Sequence, residues 1–216
     1  MNLNIFIYTL TLLLFISLPE KTFGQTKSNF GASLGLGLTT MTGSASDITN
    51  LSSDIGYTLG ASFEQEFSER TSLKFNLLYS RKNVNREYNT LPNFPITREV
   101  DFLKMSFDYL EIPIVMQYEL ISQSDFFVNG GVFFSYLLNT KISEEIIPPD
   151  LLATPWTEKL DYGLSFGIAK KFSINQNKLI LELRDNLGFK NLVDSDSSFK
   201  LRSNTLYLLV TWEFGK

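Results

Sequence analysis

The chain has 216 residues, enough for one domain, and a formal net charge of −4 with neither histidine nor cysteine. The lack of histidine argues against a hydrolase or a zinc enzyme, because histidine is the commonest general base and transition-metal ligand. The lack of cysteine excludes disulfides and thiolate metal sites, and the acidic balance argues against a nucleic-acid partner. We therefore expect neither a cofactor nor a bound nucleic acid.

The N-terminal segment has the features of an export signal. Its apolar run, Ile5–Leu18, is shorter than the roughly 20 residues of a membrane-spanning helix. Thr22 and Gly24 place small side chains at the third and first positions before a cut, as signal peptidase requires. We predict a signal peptide over 1–24 and one mature domain over 25–216. An uncleaved anchor or a core strand is the alternative, because no Lys or Arg precedes the apolar run.

From Ser28 onward the apolar residues recur at every second position, the period of a β-strand with one apolar face. Weaker segments near 28–38, 126–139 and 178–188 bring the count to eight strands, each of about 10 to 14 residues, the length a tilted strand needs to cross a bilayer. Five segments alternate clearly, and their apolar sets are Tyr57, Leu59, Ala61 and Phe63; Leu73, Phe75, Leu77 and Tyr79; Leu110, Ile112, Ile114, Met116 and Tyr118; Leu160, Tyr162, Leu164, Phe166 and Ile168; and Leu206, Leu208, Val210, Trp212 and Phe214.

Short and long connections alternate between these predicted strands. Short turns at one rim and long loops at the other are typical of an outer-membrane barrel with both termini on the periplasmic side. A soluble lipocalin-type barrel, the alternative, would turn its apolar face inward around a ligand. The short connections are Ser68–Arg70, Ile121–Asp125 and Ser173–Asn177, and the long ones are approximately 39–55, 86–104, 140–158 and 189–202.

The chemistry of the two faces indicates which one points outward. The apolar face carries aromatic residues toward its ends, as lipid-facing girdles do, whereas the other face combines Gly and Ser with charges of both signs. The interior of an eight-stranded barrel is just wide enough for side chains, so we expect opposite charges to pair there and no pore to form. The predicted interior polar cluster comprises Glu64, Lys74, Glu111, Glu182 and Arg184.

One predicted strand carries Glu111 and Pro113 on its interior face. Proline removes a ladder hydrogen bond and, inside a sheet, normally marks a bulge or an edge. Since an unpaired charge in a confined interior is costly, we expect Glu111 to pair with Lys74 or Arg184. A kinked strand that places Glu111 in a gating cluster is the alternative.

The segment Phe107–Ile114, with its Tyr109-Leu110-Glu111-Ile112-Pro113 core, resembles a strand of the PorT-like outer-membrane barrels common in Bacteroidetes. The glycine-rich segment Gly31–Gly37, the Leu77–Ser80 stretch and the closing Leu206–Phe214 strand match that family in outline. The resemblance implies an eight-stranded outer-membrane protein. The named member of the family participates in protein secretion linked to gliding, so a secretion-associated role is one expectation; no functional residue is carried over.

Two further groups of residues are candidates for contact. The apolar loop residues Ile146, Ile147, Leu151, Leu152 and Trp156 are expected to cap the barrel mouth or to meet a partner. A terminal strand must pair with the first strand so that no edge is left in lipid. Trp212 and Phe214, near the C-terminus, resemble the closing aromatics of barrels that the assembly machinery recognises, although they can equally anchor the strand at the interface.

The function that follows is a non-enzymatic barrel of the cell outer membrane, surrounded by lipid, whose loops contact an envelope or secretion partner or contribute to envelope structure. A lipid-modifying enzyme on the same scaffold is the second hypothesis, and a soluble ligand-binding barrel is the third. A pore would need oligomers or more strands, because eight strands leave no useful water channel.

Overall fold

The computed structural model describes residues 27–43, 51–87, 102–142, 158–193 and 200–214. Within these ranges the chain forms eight antiparallel strands in a closed barrel, each strand paired with its sequence neighbours and the last paired with the first. None of the described segments is a helix long and apolar enough to cross a membrane. The strands are β1 (Ser28–Gly43), β2 (Leu51–Ser68), β3 (Thr71–Glu87), β4 (Phe102–Glu119), β5 (Phe126–Ile142), β6 (Leu160–Ile174), β7 (Asn177–Gly188) and β8 (Leu201–Phe214).

These elements confirm the predicted up-and-down barrel, and the three weaker segments form β1, β5 and β7. Several strands are longer than predicted, with 18 residues in β2 and β4. The extra length lies at the long-loop end, where polar residues such as Thr39 and Asn85 continue the ladders. The long connections are correspondingly shorter than the sequence suggested. The predicted signal peptide lies outside the described residues.

The ladder pairs determine the geometry of the barrel. Following directly paired residues once around the wall from Phe30 leads back to β1 at Thr40, ten residues further along, so the shear number is 10. With about 3.3 Å per residue and about 4.8 Å between strands, the strands tilt by about 40° around a cylinder about 8 Å in radius. Side chains fill an interior of this size. The path passes through Phe63, Phe75, Ile114, Val132, Leu164, Leu187 and Asn204.

The five clearly alternating segments point their apolar sets outward and their polar sets inward, as predicted. Aromatic residues border this apolar surface at both ends. On β2, Tyr57 and Phe67 are exposed at positions ten residues apart, as are Tyr162 and Phe172 on β6. At this tilt, ten residues rise by about 25 Å, which is the height of the apolar band of a membrane barrel. We call the surface between these two levels the apolar band.

Pro113 does not shift the strand register. Pairing between β3 and β4 includes Phe75 with Ile114 and Leu78 with Glu111, in one continuous register, and the two positions between them lack ladder pairs. On its other side, Pro113 pairs with Phe133 of β5. The missing N–H therefore interrupts one seam without the bulge that the sequence allowed. The register shift of β4 lies instead between Asp108 and Tyr109.

Candidate functional site: the barrel interior

The centre of the interior is a charge cluster around Glu182 of β7. Its Oε1 accepts hydrogen bonds from Arg184 Nε at 2.7 Å and from Asn129 Nδ2 at 2.8 Å. Its Oε2 accepts one from Lys74 Nζ at 3.1 Å, from β3 on the opposite wall. The Lys74, Glu182 and Arg184 side chains are fully buried. Two cations thus hold one carboxylate, and the bond to Lys74 spans the lumen.

A second ion pair bridges the lumen closer to the short turns. Lys171 of β6 contacts Glu64 of β2 at 2.6 Å. The Lys171 Nζ also lies 4.4 Å from the centre of the Phe127 ring, a cation–π contact. Phe127 packs with Ala169 and Ile180 in a small apolar cluster on the same inner wall. This level of the lumen therefore contains a buried ion pair beside apolar side chains, together with the buried carboxylate of Glu213.

Closer to the long loops, Glu111 has three hydrogen-bond donors and one ion-pair partner. Its carboxylate accepts from Asn186 Nδ2 at 2.8 Å, from Ser135 Oγ at 3.1 Å and from the Tyr207 hydroxyl at 3.2 Å. Lys82 Nζ lies 3.2 Å away as its ion-pair partner. The expected pairing of Glu111 with Lys74 or Arg184 was wrong, because those two cations lie deeper and both contact Glu182.

The inward-facing residues of the Tyr-Leu-Glu-Ile-Pro segment fill this level of the lumen. Tyr109, Glu111 and Pro113 point inward, and Lys82 Nζ lies 4.9 Å from the Tyr109 ring centre. Gly37 provides space for Tyr207, since a Cβ on Gly37 would lie 2.7 Å from the Tyr207 ring. The motif and the glycine-rich first strand are thus explained by packing of the interior.

An apolar cluster closes the lumen at the long-loop end. Leu192 and Val193, which follow β7, fold inward and are buried there. The backbone N–H of Leu192 donates to the Leu201 carbonyl at 2.8 Å, and the Leu201 N–H donates to Asn191 Oδ1 at 2.8 Å. We call this cluster the apolar cap; its members are Met41, Val84, Met105, Phe107, Tyr109, Leu192, Val193 and Leu201.

Sequence reasoning missed Leu192 and Val193 as capping residues. The signal available was an apolar pair between Asn191 and Asp194. The predicted loop residues Ile146, Ile147, Leu151, Leu152 and Trp156 lie outside the described residues. All five members of the predicted interior cluster, Glu64, Lys74, Glu111, Glu182 and Arg184, are buried in the lumen. They form two separate ion-paired groups around Glu182 and Glu64 and contribute Glu111 to a third.

These contacts pack the interior and join opposite walls of the barrel. The carboxylates of Glu111 and Glu182 are saturated by donors that also hold opposite walls together. In the part of the chain that the structure describes, no group of three or more acidic side chains is placed to hold a metal ion. Because the apolar face points outward, the soluble lipocalin-type alternative was wrong.

Trp212 and Phe214 end the closing strand at the short-turn rim. Both point outward, and their ladder partners on β1 are Ala32 and Phe30. Phe30 and Phe214 are 58% and 54% exposed, the level of the lower aromatic border. Trp212 and Phe214 therefore lie at the membrane interface on the closing strand. This position fits both an interfacial anchor and an element that the assembly machinery recognises.

A model of the outer membrane protein β-barrel domain family matches residues 23–194. Among solved structures, OprG from Pseudomonas aeruginosa is similar over 89% of this chain and 99% of that one, at 12% identity and a TM-score of 0.48. Ail from Yersinia pestis is similar over 87% and 99%, at 12% identity and 0.47. Outer membrane protein W of E. coli is similar over 89% and 100%, at 10% identity and 0.44.

A search of curated proteins found no match. The solved structures are distant, so the assignment rests on the family match, which covers most of the chain, together with the closed barrel and its outward apolar band. The chain therefore belongs to the outer membrane protein β-barrel domain family, and its strands cross the outer membrane.

Proposed function

We propose that this protein is a non-enzymatic outer-membrane barrel that acts through its extracellular loops and does not conduct through its lumen. The observation that supports this proposal is the filled interior. Ion pairs of Lys74 and Lys171 cross the lumen to the opposite wall, and the apolar cap covers the long-loop end. With the lumen occupied, the long loops are the surface left for contact outside the cell.

The apolar loop over 142–156 is the strongest candidate for that contact. The composition of the loop also allowed it to cap the barrel mouth, but Leu192 and Val193 already cap it. The loop combines apolar residues with Glu144, Glu145 and Asp150. A partner that presents an apolar groove bordered by basic residues would complement this composition.

We also propose that the protein is a PorT-like barrel with a role in secretion or in envelope structure. The Tyr109–Pro113 segment supports this relationship. Because its inward side chains pack the lumen, that segment carries no information about the partner, and the loops would determine the specific role.

For assembly, we propose that Trp212 and Phe214 form part of the segment that the barrel assembly machinery recognises. Their outward position on the strand that closes against β1 supports this role. The same position supports anchoring at the membrane interface, and both roles are compatible in one strand.

The loop proposal is tested by replacing Ile146, Ile147, Leu151, Leu152 and Trp156 with serine in the full chain. A photoreactive side chain at position 145 should form a discrete protein adduct in intact cells, and the five replacements should abolish it because they remove the apolar contact. The barrel should still insert, since the five replacements leave all eight described strands unchanged. A photoreactive group at Leu77, which faces lipid, is the control and should give no adduct. An adduct that survives the serine replacements, or none at position 145, would contradict the proposal.

A further inference from the structure

The outward face of β7 carries a carboxylate among apolar side chains. Asp185 lies between Leu183 and Leu187 on this face, and its ladder partners are Phe166 of β6 and Leu206 of β8. These four apolar neighbours are 37–46% exposed. Phe166 stands between Tyr162 and Phe172, the ends of the apolar band on β6. Asp185 is therefore inside the band, the one acidic side chain that the described strands place there.

A carboxylate at this depth needs hydrogen-bond donors, because lipid offers none. Asn204 of β8 lies diagonal to Asp185 on the same face, and its amide can supply one. An amide group has two N–H donors, and a carboxylate has about four acceptor sites. One hydrogen bond between the two side chains therefore leaves further donors on Asn204 and further acceptor sites on Asp185 unused. The remaining donor and acceptor capacity faces a medium without water.

We propose that the β6–β8 face carrying Asp185 and Asn204 is the contact surface of a homodimer within the membrane. The patch is self-complementary, because it presents a donor and an acceptor side by side. A twofold axis along the membrane normal brings Asp185 of one copy to Asn204 of the other, and the reverse. Asp185 and Asn204 are diagonal neighbours on adjacent strands of this face, so the axis can bring the same two side chains of both copies together. This inference is independent of the loop function.

A second copy fits this patch better than a lipid does. The amine of a lipid headgroup lies at the membrane surface, whereas Asp185 lies below the level of Tyr162. Leu183, Leu187 and Leu206 surround the polar pair and provide an apolar rim that packs against the same rim of a partner. The second copy thus supplies donor, acceptor and apolar surface at the required depth.

Disulfide trapping tests the dimer, because the natural chain has no cysteine. Leu206→Cys places a thiol in the patch, and Leu77→Cys places one on β3, on the opposite wall, at similar exposure of 45% and 51%. Mild oxidation of outer membranes that contain the full chain should give a disulfide-linked dimer with Leu206→Cys. The Leu77→Cys control should give about tenfold less, because the proposed axis keeps β3 away from the partner.

The polar pair is tested in the Leu206→Cys background. Asp185→Leu should lower the trapped dimer by about tenfold or more, and the exchange of Asp185→Asn with Asn204→Asp should restore it because donor and acceptor are both kept. Gel mobility before and after heating checks that each variant is folded. The proposal would be overturned if Leu206→Cys gave no dimer or formed a disulfide with a different protein. It would also be overturned if Leu77→Cys gave as much dimer as Leu206→Cys, or if Asp185→Leu left the amount of trapped dimer unchanged.

Discussion

Replacing Leu34 by arginine should destabilise the barrel by about 2–4 kcal/mol, the penalty for a cation near the middle of the membrane. Leu34 is 64% exposed on the outer face, and its ladder partners are Leu59 and Val210. It lies four residues beyond Phe30 on β1, which at this tilt places it about 10 Å into the apolar band. Equilibrium unfolding by denaturant from lipid vesicles measures the change.

Ile121→Arg is the matched control for Leu34→Arg. Ile121 is an apolar residue of similar exposure, 67%, but it lies in the short β4–β5 turn outside the band. The same substitution should there cost about 0–1 kcal/mol, because the penalty falls toward the interface. Equal losses in the two variants would show that depth in lipid is not the cause.

Glu182→Gln should lower the free energy of unfolding by about 3–5 kcal/mol, since it leaves two buried cations without their counter-charge. Lys74 and Arg184 contact this carboxylate at 3.1 Å and 2.6 Å, and all three side chains are inaccessible to solvent. The same vesicle unfolding experiment applies. Adding Lys74→Met to Glu182→Gln should recover part of the loss, because one of the two unpaired charges is removed.

Glu158→Gln provides the comparison for the buried pair. Glu158 lies 3.5 Å from Lys190, and both side chains are about one-third exposed. An exposed pair of this kind contributes about 0–1 kcal/mol. If Glu182→Gln costs no more than Glu158→Gln, the interior is hydrated and the charge network does not hold the walls together.

The outward and inward faces could be predicted from the sequence because a strand has a period of two. On β6, Tyr162, Leu164 and Phe166 face outward while Asp161 and Ser165 face inward, as their order in the chain requires. Any shift of one residue would place charges in lipid. The alternation of short and long connections predicted the topology for the same kind of reason, since it depends on neighbours along the chain.

Contacts across the lumen could not be predicted in this way. Which residues of opposite walls meet depends on strand stagger, and the shear of 10 brings Lys74 to Glu182 and Lys171 to Glu64. No local pattern in the sequence indicates that stagger. The cap by Leu192 and Val193 was missed because these residues follow a strand and show no period. Register within the closed barrel, rather than composition, determines the interior contacts.

Conductance of the purified, folded full chain in planar lipid bilayers tests the filled lumen most directly. We expect no current steps above the lipid background, because the ion pairs of Lys74 and Lys171 cross the lumen and the apolar cap covers its loop end. Glu182→Gln, measured in the same way, shows whether the network matters to closure. Reproducible steps from the unmodified chain, with a size that changes in Glu182→Gln, would contradict the account, since they would place an open ion path through the cluster.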